Sequence, residues 1–201
     1  CRNCRLVLPA ILKYKYWYFT KAINPKTCQE IIKAASTKVQ RPGTTYLPLK
    51  PSRKSTIAWI TDPKIYNLLN PFIHSANKNA GWNFQWDWNE PSQFTVYNKG
   101  DYYGWHIDTK PPKPSPNKNF NNKIRKLSLT LQLTDPSQYK GGNFQFKWLE
   151  NDAKIKTVTV NGARDLGTII IFPSFLFHRV TPITKGTRQS LVNWSLGKVF
   201  C

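Results

Sequence analysis

Residues 165–196, DLGTIIIFPSFLFHRVTPITKGTRQSLVNWSL, contain three strand-like segments that are separated by short turns. The segments are GTIIIF, FLFHRVT and RQSLVNWSL, and a Pro-Ser turn divides the first from the second. Between Gly81 and this stretch lie further segments of the same kind: NFQWDW, SQFTVYN, YYGWHI, KLSLTLQLT, NFQFKW and KTVTV. Many short strands joined by turns are typical of a β-sandwich or barrel. We therefore expect a mainly β core at about 82–196.

A helix is predicted in front of this core. Asn24 can cap it, and Pro25 suits its first turn. Apolar residues then recur at helical spacing, at Cys28, Ile31, Ile32, Ala35 and Val39. We expect this helix to end near residues 41–43, where the chain reads Arg-Pro-Gly. The proline-broken, basic stretch at 40–56 should then form a long exposed loop.

A short strand and a second helix should follow that loop. The segment IAWIT predicts the strand, and Asp62-Pro63 begins a helix that has one apolar face, formed by Ile65, Leu68 and Leu69. Pro71 should break or kink this helix before it continues to about Ala80. The expected fold class is α+β and mainly β, with supporting N-terminal helices.

Length and composition indicate a folded globular chain. Of its 201 residues, 40% are hydrophobic and 14% are aromatic, which suits one domain over 1–201 and excludes disorder throughout. No segment approaches the roughly 20 consecutive apolar residues that a membrane helix needs. The apolar part of the first residues is too short for a signal peptide, so we expect an irregular extension at 1–15.

The chain is strongly basic. Thirty Lys and Arg residues against ten Asp and Glu residues give a formal charge of +20. Such a surface would attract phosphate backbones, anionic lipids or acidic proteins. The alternative is that the charge reflects drift in amino-acid composition and has no functional partner. Lysine and asparagine are abundant along the whole chain, and there is no single dense basic run. Charge alone therefore identifies no partner.

The cysteines at 1, 4, 28 and 201 favour free thiols. CRNC at 1–4 is a lone C-x-x-C without a second pair, which is weak as half of a zinc site. Cys28 fits the apolar face of the first predicted helix. We therefore expect a reducing, cytoplasmic setting.

Residues 100–109, GDYYGWHIDT, place a histidine and an aspartate two positions apart. Side chains at i and i+2 of an extended segment point the same way, so His106 and Asp108 can form half of a metal site. His178 follows an apolar strand and a turn, and a neighbouring strand could present it to this pair. His74 lies in the second predicted helix, where we expect a structural role.

Two imidazoles and one carboxylate on one face of a metal leave three positions open, as in non-haem Fe(II) enzymes that admit a cosubstrate and dioxygen. Arg188 lies ten residues beyond His178, and a guanidinium can clamp a carboxylate through two parallel hydrogen bonds. The simpler alternatives are a hydrogen-bonded core role for His106 and a surface salt bridge for Arg188.

Three stretches resemble the 2-oxoglutarate- and Fe(II)-dependent dioxygenases of the prolyl 4-hydroxylase-like superfamily, in particular the bacterial and phage PKHD-type hydroxylases. They are QFTVYNKGDYYGWHID, RKLSLTLQLTDPSQYKGGNFQF and DLGTIIIFPSFLFHRVTPITKGTRQSLVNWS. The resemblance begins at about Tyr16, in YWYFTKAINPKTCQEIIKAA, and continues to about Leu196. It implies a double-stranded β-helix, or jelly roll, with helices packed on one outer face.

The resemblance also implies a set of site residues. The catalytic iron ligands would be His106, Asp108 and His178. The distal carboxylate of 2-oxoglutarate would bind to Arg188, and further residues of the cosubstrate site would be Tyr97, Thr130, Gln132 and Trp194. Core packing explains Trp194 equally well.

Other positions correspond to structural or substrate-binding features of the family. Arg53 and Trp59 lie where related enzymes bring a loop and a strand over the substrate. Gly141 and Gly142 correspond to a turn whose backbone needs unusual angles.

The implied reaction is hydroxylation coupled to oxidative decarboxylation of 2-oxoglutarate, with Fe(II) and O2 required, succinate and CO2 formed, and ascorbate as a reductant. Halogenases of this superfamily replace the aspartate by a small residue, so Asp108 favours hydroxylation. The implied substrate is a proline in a peptide or protein. The segments at 40–56 and 109–123 would close over it, or else they are solvated connections.

Two other functions stay open. A nucleic-acid dealkylase of the AlkB type shares the iron site and would use the basic surface on phosphates. That family has a second arginine shortly after the one that binds the cosubstrate, whereas QSLVNWSLGK follows Arg188. The third interpretation is a catalytically inactive, basic jelly-roll binding module, against which the intact set of His106, Asp108, His178 and Arg188 argues.

Overall fold

The computed structural model of the chain describes residues 12–43, 52–150 and 153–200. Its helices are α1 (Pro25–Ser36) and α2 (Pro63–Asn79), and two short 3-10 turns lie at Pro136–Gln138 and Asn161–Ala163. Its strands are β1 (Trp17–Phe19), β2 (Arg41–Pro42), β3 (Arg53–Lys54), β4 (Thr56–Ile60), β5 (Trp88–Asn89), β6 (Ser92–Tyr97), β7 (Tyr102–His106), β8 (Lys123–Gln132), β9 (Tyr139–Gly141), β10 (Phe144–Leu149), β11 (Ile155–Thr159), β12 (Ile169–Pro173), β13 (Phe177–Val180), β14 (Ile183–Gly186) and β15 (Arg188–Lys198).

Two antiparallel sheets pack face to face. The larger has the order β1-β12-β8-β15-β6-β4-β2, with β5 paired to the end of β15, and the smaller has the order β11-β10-β13-β7-β3. A separate pair joins β14 to β9. Phe172 of the larger sheet and Phe146 of the smaller one lie 4.9 Å apart between their ring centroids. This is the predicted jelly-roll architecture, so the expectation of a mainly β fold is confirmed.

Strand β8 shows how side-chain alternation positions a polar site inside this sandwich. One face of the strand packs against the helices through Leu127, Leu129 and Leu131. The alternate residues, Ser128, Thr130 and Gln132, are buried on the opposite face, between the sheets. Buried polar groups require partners, so this row marks where functional side chains can assemble.

Helix α1 begins as predicted and ends earlier than predicted. The side chain of Asn24 accepts a hydrogen bond from the amide of Thr27 at 2.9 Å, and Pro25 is the first helical residue. The helix stops at Ser36, and Val39 is 72% exposed instead of lying on the buried face. Thr37 donates its hydroxyl hydrogen to the carbonyl of Ala34 at 2.9 Å, and such side-chain bonds compete with helix propagation.

Of the predicted break or kink at Pro71, the break does not occur, because helix α2 runs from Pro63 to Asn79. Asp62 caps it by accepting a hydrogen bond from the amide of Lys64 at 2.9 Å. Apolar residues on both sides of Pro71 share one buried face, formed by Ile65, Leu69, Ile73 and Ala76. Packing of that face offsets the backbone bond that proline removes. Neither this helix nor any other part of the described chain provides an apolar helix long enough to cross a membrane.

Two predicted segments differ from the structure. The expected loop at 40–56 includes strands β2 and β3, which lie at sheet edges, while 44–51 are outside the described residues. The expected strand NFQWDW is extended chain that pairs only from Trp88 onward. Asn77 explains this, because its side chain binds both the amide and the carbonyl of Phe84 at 2.9 Å and takes the place of a strand partner.

Candidate functional site

Neighbouring strands of the smaller sheet, β7 and β13, bring His106, Asp108 and His178 together. His106 ends β7 and pairs directly with His178 of β13, while Asp108 follows two residues after β7. The Nε2 atom of His106 lies 3.7 Å from Oδ1 of Asp108, and Nε2 of His178 lies 3.4 Å from Oδ2. The three ligand atoms all lie within 4.8 Å of one another, which is close enough to bind one metal ion.

Backbone carbonyls orient both imidazole rings. Nδ1 of His106 is 2.8 Å from the carbonyl oxygen of Gly104, and Nδ1 of His178 is 2.9 Å from that of Leu176. Each Nδ1 therefore donates its hydrogen, which places the lone pair on Nε2, facing the other ligand atoms. Such outer bonds fix the tautomer of metal-binding histidines.

Asp108 is held by Ser128 of β8 and by Ser174, which directly follows β12 and accepts the amide hydrogen of Asp108 on its carbonyl oxygen at 2.8 Å. It is 6% exposed, and its Oδ2 accepts a hydrogen bond from Oγ of Ser128 at 2.7 Å. Ser128 in turn lies 2.9 Å from Oγ of Ser174. Burial acts to raise the pKa of Asp108, but the charge and hydrogen bond of His178 and the charge of His106 hold that pKa below its usual range.

His106 is neutral at physiological pH. Burial lowers its pKa to about 3, and the neighbouring charge of His178 adds to the effect, while Asp108 opposes it. A neutral imidazole beside an ionised carboxylate is the protonation state that binds a metal. Two nitrogen donors and one carboxylate on one side fit ferrous iron with open positions for further ligands.

A narrow cavity continues from these residues to Arg188. Arg188 is 2% exposed, and its Nη2 donates a hydrogen bond to Oε1 of Gln132 at 2.8 Å, whereas its buried Nη1 has no hydrogen-bond partner among the described residues. Within the described part of the chain, the only carboxylate that lines the cavity belongs to Asp108. A buried guanidinium without a counter-ion is costly, and a carboxylate ligand would satisfy its unpaired nitrogen. The donor set therefore fits the distal carboxylate of 2-oxoglutarate.

The structure places most of the other predicted site residues at this cavity. Tyr97, Thr130, Trp194 and Arg53 line it, and Tyr97 pairs with Arg188 across β6 and β15. Gln132 stands behind Arg188 rather than in the lining.

Trp59 is not in the lining of this cavity. Its side chain is 40% exposed, and its ring centroid lies 6.1 Å from that of Trp194. His74 is also remote from the cavity, exposed in α2 with its ring 4.7 Å from Trp86, in agreement with a structural role.

Several residues at the cavity were not predicted. Tyr103 stacks on His106 with ring centroids 3.5 Å apart, and burial, together with Asp108, raises the pKa of Tyr103 to about 12. Gln93 accepts a hydrogen bond from Nη2 of Arg53 at 2.8 Å. A signal existed for Ser128, which lies two positions before Thr130 on the same strand and therefore on the same face.

Trp194 lies both at the cavity and in the packed interior, and it is 5% exposed. Its ring lines the cavity. The guanidinium of Arg125, which also contacts Glu90, lies 3.8 Å from the centroid of this ring. Arg125 and Glu90 form a two-pronged ion pair with both contacts at 2.6 Å. Burial acts to lower the pKa of Arg125, but the hydrogen bond and charge of Glu90 raise it, so the guanidinium stays charged.

Comparison with known proteins agrees with this geometry. Residues 92–196 match the model of the 2OG-Fe(II) oxygenase superfamily. A PKHD-type hydroxylase of Synechococcus sp. (strain CC9902) is 37% identical over 95 residues, which are 47% of this chain and 36% of that protein. A PKHD-type hydroxylase of Prochlorococcus marinus is 35% identical over 101 residues, 50% of this chain and 39% of that one. The chain thus spans about two fifths of the length of these relatives.

Solved structures share the fold. The viral collagen prolyl hydroxylase of Paramecium bursaria Chlorella virus-1, in complex with 2OG, has a TM-score of 0.63 at 17% identity, covering 93% of this chain and 98% of that one. A prolyl hydroxylase of Trichoplax adhaerens, in complex with a peptide fragment of hypoxia inducible factor, has a TM-score of 0.62 at 16% identity. The match covers 91% of this chain and 84% of that one.

Proposed function

Because the chain belongs to the 2OG-Fe(II) oxygenase superfamily, we propose that it hydroxylates proline residues of a peptide or protein. The cosubstrates are 2-oxoglutarate and O2, and the resident metal is Fe(II). One observation carries this assignment: a single cavity holds the two Nε2 atoms, the carboxylate of Asp108 and the unpaired Nη1 of Arg188. Similarity to PKHD-type hydroxylases and the shared fold with prolyl hydroxylases favour proline as the target.

Each side chain has a definite task in this proposal. His106, Asp108 and His178 hold the iron, which, when bound, supplies oxygen activation coupled to conversion of 2-oxoglutarate to succinate and CO2. Arg188 binds the distal carboxylate through Nη1, because Nη2 is already committed to Gln132. Tyr97 and Thr130 line the path between the arginine and the metal ligands. Ascorbate would keep the iron ferrous, which suits a reducing compartment such as the cytoplasm.

Arg53 is the substrate-side residue that the geometry supports best. Its guanidinium lies 4.5 Å from the ring centroid of Tyr103, which itself stacks on His106. Its Nε donates a hydrogen bond to Oγ of Ser55 at 2.8 Å, so the side chain is held in place over the cavity. Trp59 extends from Trp194 toward solvent and would contact the substrate outside the cavity.

The test is turnover of proline-containing peptides with Fe(II), 2-oxoglutarate and ascorbate. Mass spectrometry should show addition of one oxygen to proline, together with formation of succinate. His106→Ala should abolish both products while circular dichroism stays native, and His74→Ala is the matched control because His74 is exposed and remote from the cavity. Oxygen transfer to methylated single-stranded DNA, with no transfer to any peptide, would contradict the proposal.

A further inference from the structure

A second concave surface lies beside the metal centre. This groove has a volume of about 330 Å³ and is formed by the 109–123 segment against the start of β8 and the end of β15. Phe120, Ile124 and Leu196 supply an apolar surface inside it. Ile124 and Leu196 are buried, while Phe120 is 37% exposed. A concave apolar surface of this size is typical of a ligand site rather than of a solvated connection.

Cationic side chains surround this apolar surface. Among the described residues, four of them line the groove, Lys110, Lys113, Lys123 and Arg125, together with one carboxylate, that of Glu90. Lys123 already pairs with Asp87, its Nζ lying 2.7 Å from Oδ1. Glu90 engages Arg125 with both of its oxygens, each at 2.6 Å, so its charge is directed to that partner. Lys110 and Lys113 are exposed at the groove, and the whole chain carries a formal charge of +20. The groove is therefore complementary to an anionic ligand.

The groove and the metal centre share a wall. Arg125 lines the groove, and its guanidinium lies 3.8 Å from the ring centroid of Trp194, which lines the cavity that holds the metal ligands. Lys110 is two residues from Asp108, and Thr109 between them donates its hydroxyl hydrogen to the carbonyl of Arg125 at 2.8 Å. A chain that presents a residue to the cavity can thus continue into the groove.

We propose that this groove binds an acidic, partly apolar segment of the peptide substrate that flanks the hydroxylated proline. The inference rests on the proposed function and specifies its substrate class. Carboxylates of the segment contact Lys110 and Lys113, and its apolar side chains pack on Phe120 and Ile124.

A peptide suits the groove better than nucleic acid does. The aliphatic Ile124 and Leu196 offer no flat ring on which a base could stack. The ring of Phe120 is already in edge-to-face contact with Trp88, with centroids 4.6 Å apart.

Binding is tested first, without turnover. Two labelled proline peptides are compared by fluorescence anisotropy, identical except that the residues flanking proline are Glu and Leu in one and Gln and Leu in the other. The Glu peptide should bind about fivefold more tightly at low salt, as expected for one or two exposed ion pairs. The preference should shrink when ionic strength rises from about 0.01 M to about 0.15 M.

Lysine variants localise the effect. In K110Q/K113Q the ratio of the two affinities should fall to about one, because charge attraction at the groove is lost. Lys118→Gln is the matched control, since Lys118 lies in the same segment but outside the groove lining. Equal affinities of the two peptides for the unaltered protein, or an equal loss of preference in Lys118→Gln, would overturn the proposal. The proposal would also be overturned if a single-stranded oligonucleotide of the same charge as the Glu peptide bound more tightly than that peptide, and if K110Q/K113Q abolished the oligonucleotide binding.

Hydroxylation of the same peptides separates this inference from the proposed function. If both peptides gain oxygen at equal kcat/KM and bind equally, the prolyl hydroxylase assignment stands and the proposal that the groove binds an acidic segment fails. If neither peptide gains oxygen but the lysine-dependent binding preference holds, the groove stands and the prolyl hydroxylase assignment fails.

Discussion

Replacing Arg188 by methionine should remove 2-oxoglutarate binding without destabilising the protein. Arg188 is 2% exposed and has one guanidinium nitrogen without a partner. Methionine removes that buried unsatisfied donor, a gain of about 1–3 kcal/mol, but it leaves the buried Oε1 of Gln132 without its partner, which costs about 1–3 kcal/mol. The two effects nearly cancel, so Tm should change by no more than a few degrees.

The affinity for 2-oxoglutarate, in contrast to the stability of the unliganded protein, should fall strongly in Arg188→Met. Loss of a charge-assisted clamp on a carboxylate costs about 3 kcal/mol, or more than about a hundredfold in affinity. At about 100 times its Kd, 2-oxoglutarate should stabilise the unaltered protein by about 2.7 kcal/mol and raise Tm by roughly 5–10 °C. In Arg188→Met this rise should vanish. Thermal melts with Mn(II) in place of iron measure both quantities without turnover.

Arg179→Met is the matched control for this experiment. Arg179 also bonds a glutamine, with its Nε 2.7 Å from Oε1 of Gln145, but it lies outside the cavity. Its variant should keep the full rise in Tm with 2-oxoglutarate. The reasoning would be refuted if Arg188→Met lost more than about 3 kcal/mol of stability in the absence of ligand, or if 2-oxoglutarate stabilised it as much as it does the unaltered protein.

Three further changes test other parts of the structure. Ser128→Ala removes the 2.7 Å hydrogen bond to Asp108 and should weaken iron binding about 10- to 100-fold in metal titrations. Gly141→Ala should lower the free energy of unfolding by more than about 2 kcal/mol in urea melts, because φ is +76° and the new Cβ would lie 2.2 Å from the carbonyl oxygen of Pro182. Burial raises the pKa of Cys28 to about 11, so its thiolate is scarce at neutral pH and alkylation, followed by peptide mapping, should stay slow until the pH approaches that value or the chain unfolds.

Local patterns predicted much of the fold and of the candidate site. In β8, alternation of leucine with Ser128, Thr130 and Gln132 separates the helix-facing core from the polar interior, and that alternation is visible in the sequence. The spacing of His106 and Asp108 predicted their convergence, although Asp108 lies beyond the end of β7, where its amide bonds the carbonyl of Ser174. The positive φ angles of Gly141 and Gly142, +76° and +59°, agree with the turn that the family resemblance implied.

Features that depend on tertiary packing were not predictable. Tyr103 and His106 are three positions apart and should face opposite sides of a regular strand. A register shift between His178 and Val180 in the pairing of β13 with β7 brings them to the same side.

The ion pair of Arg125 with Glu90 joins residues 35 positions apart, and no periodicity connects them. Helix α2 passes through Pro71 because packing on both sides of the proline outweighs one lost backbone bond.

His106 and Asp108 from one segment and His178 from another should bind one ferrous ion that still accepts 2-oxoglutarate. Anaerobic titration with Fe(II) and 2-oxoglutarate, followed by absorption spectroscopy, tests it most directly. We expect one iron per chain and a metal-to-ligand charge-transfer band, lost in His178→Ala and retained in His74→Ala. A band of unchanged intensity and iron dependence in His178→Ala would contradict the account.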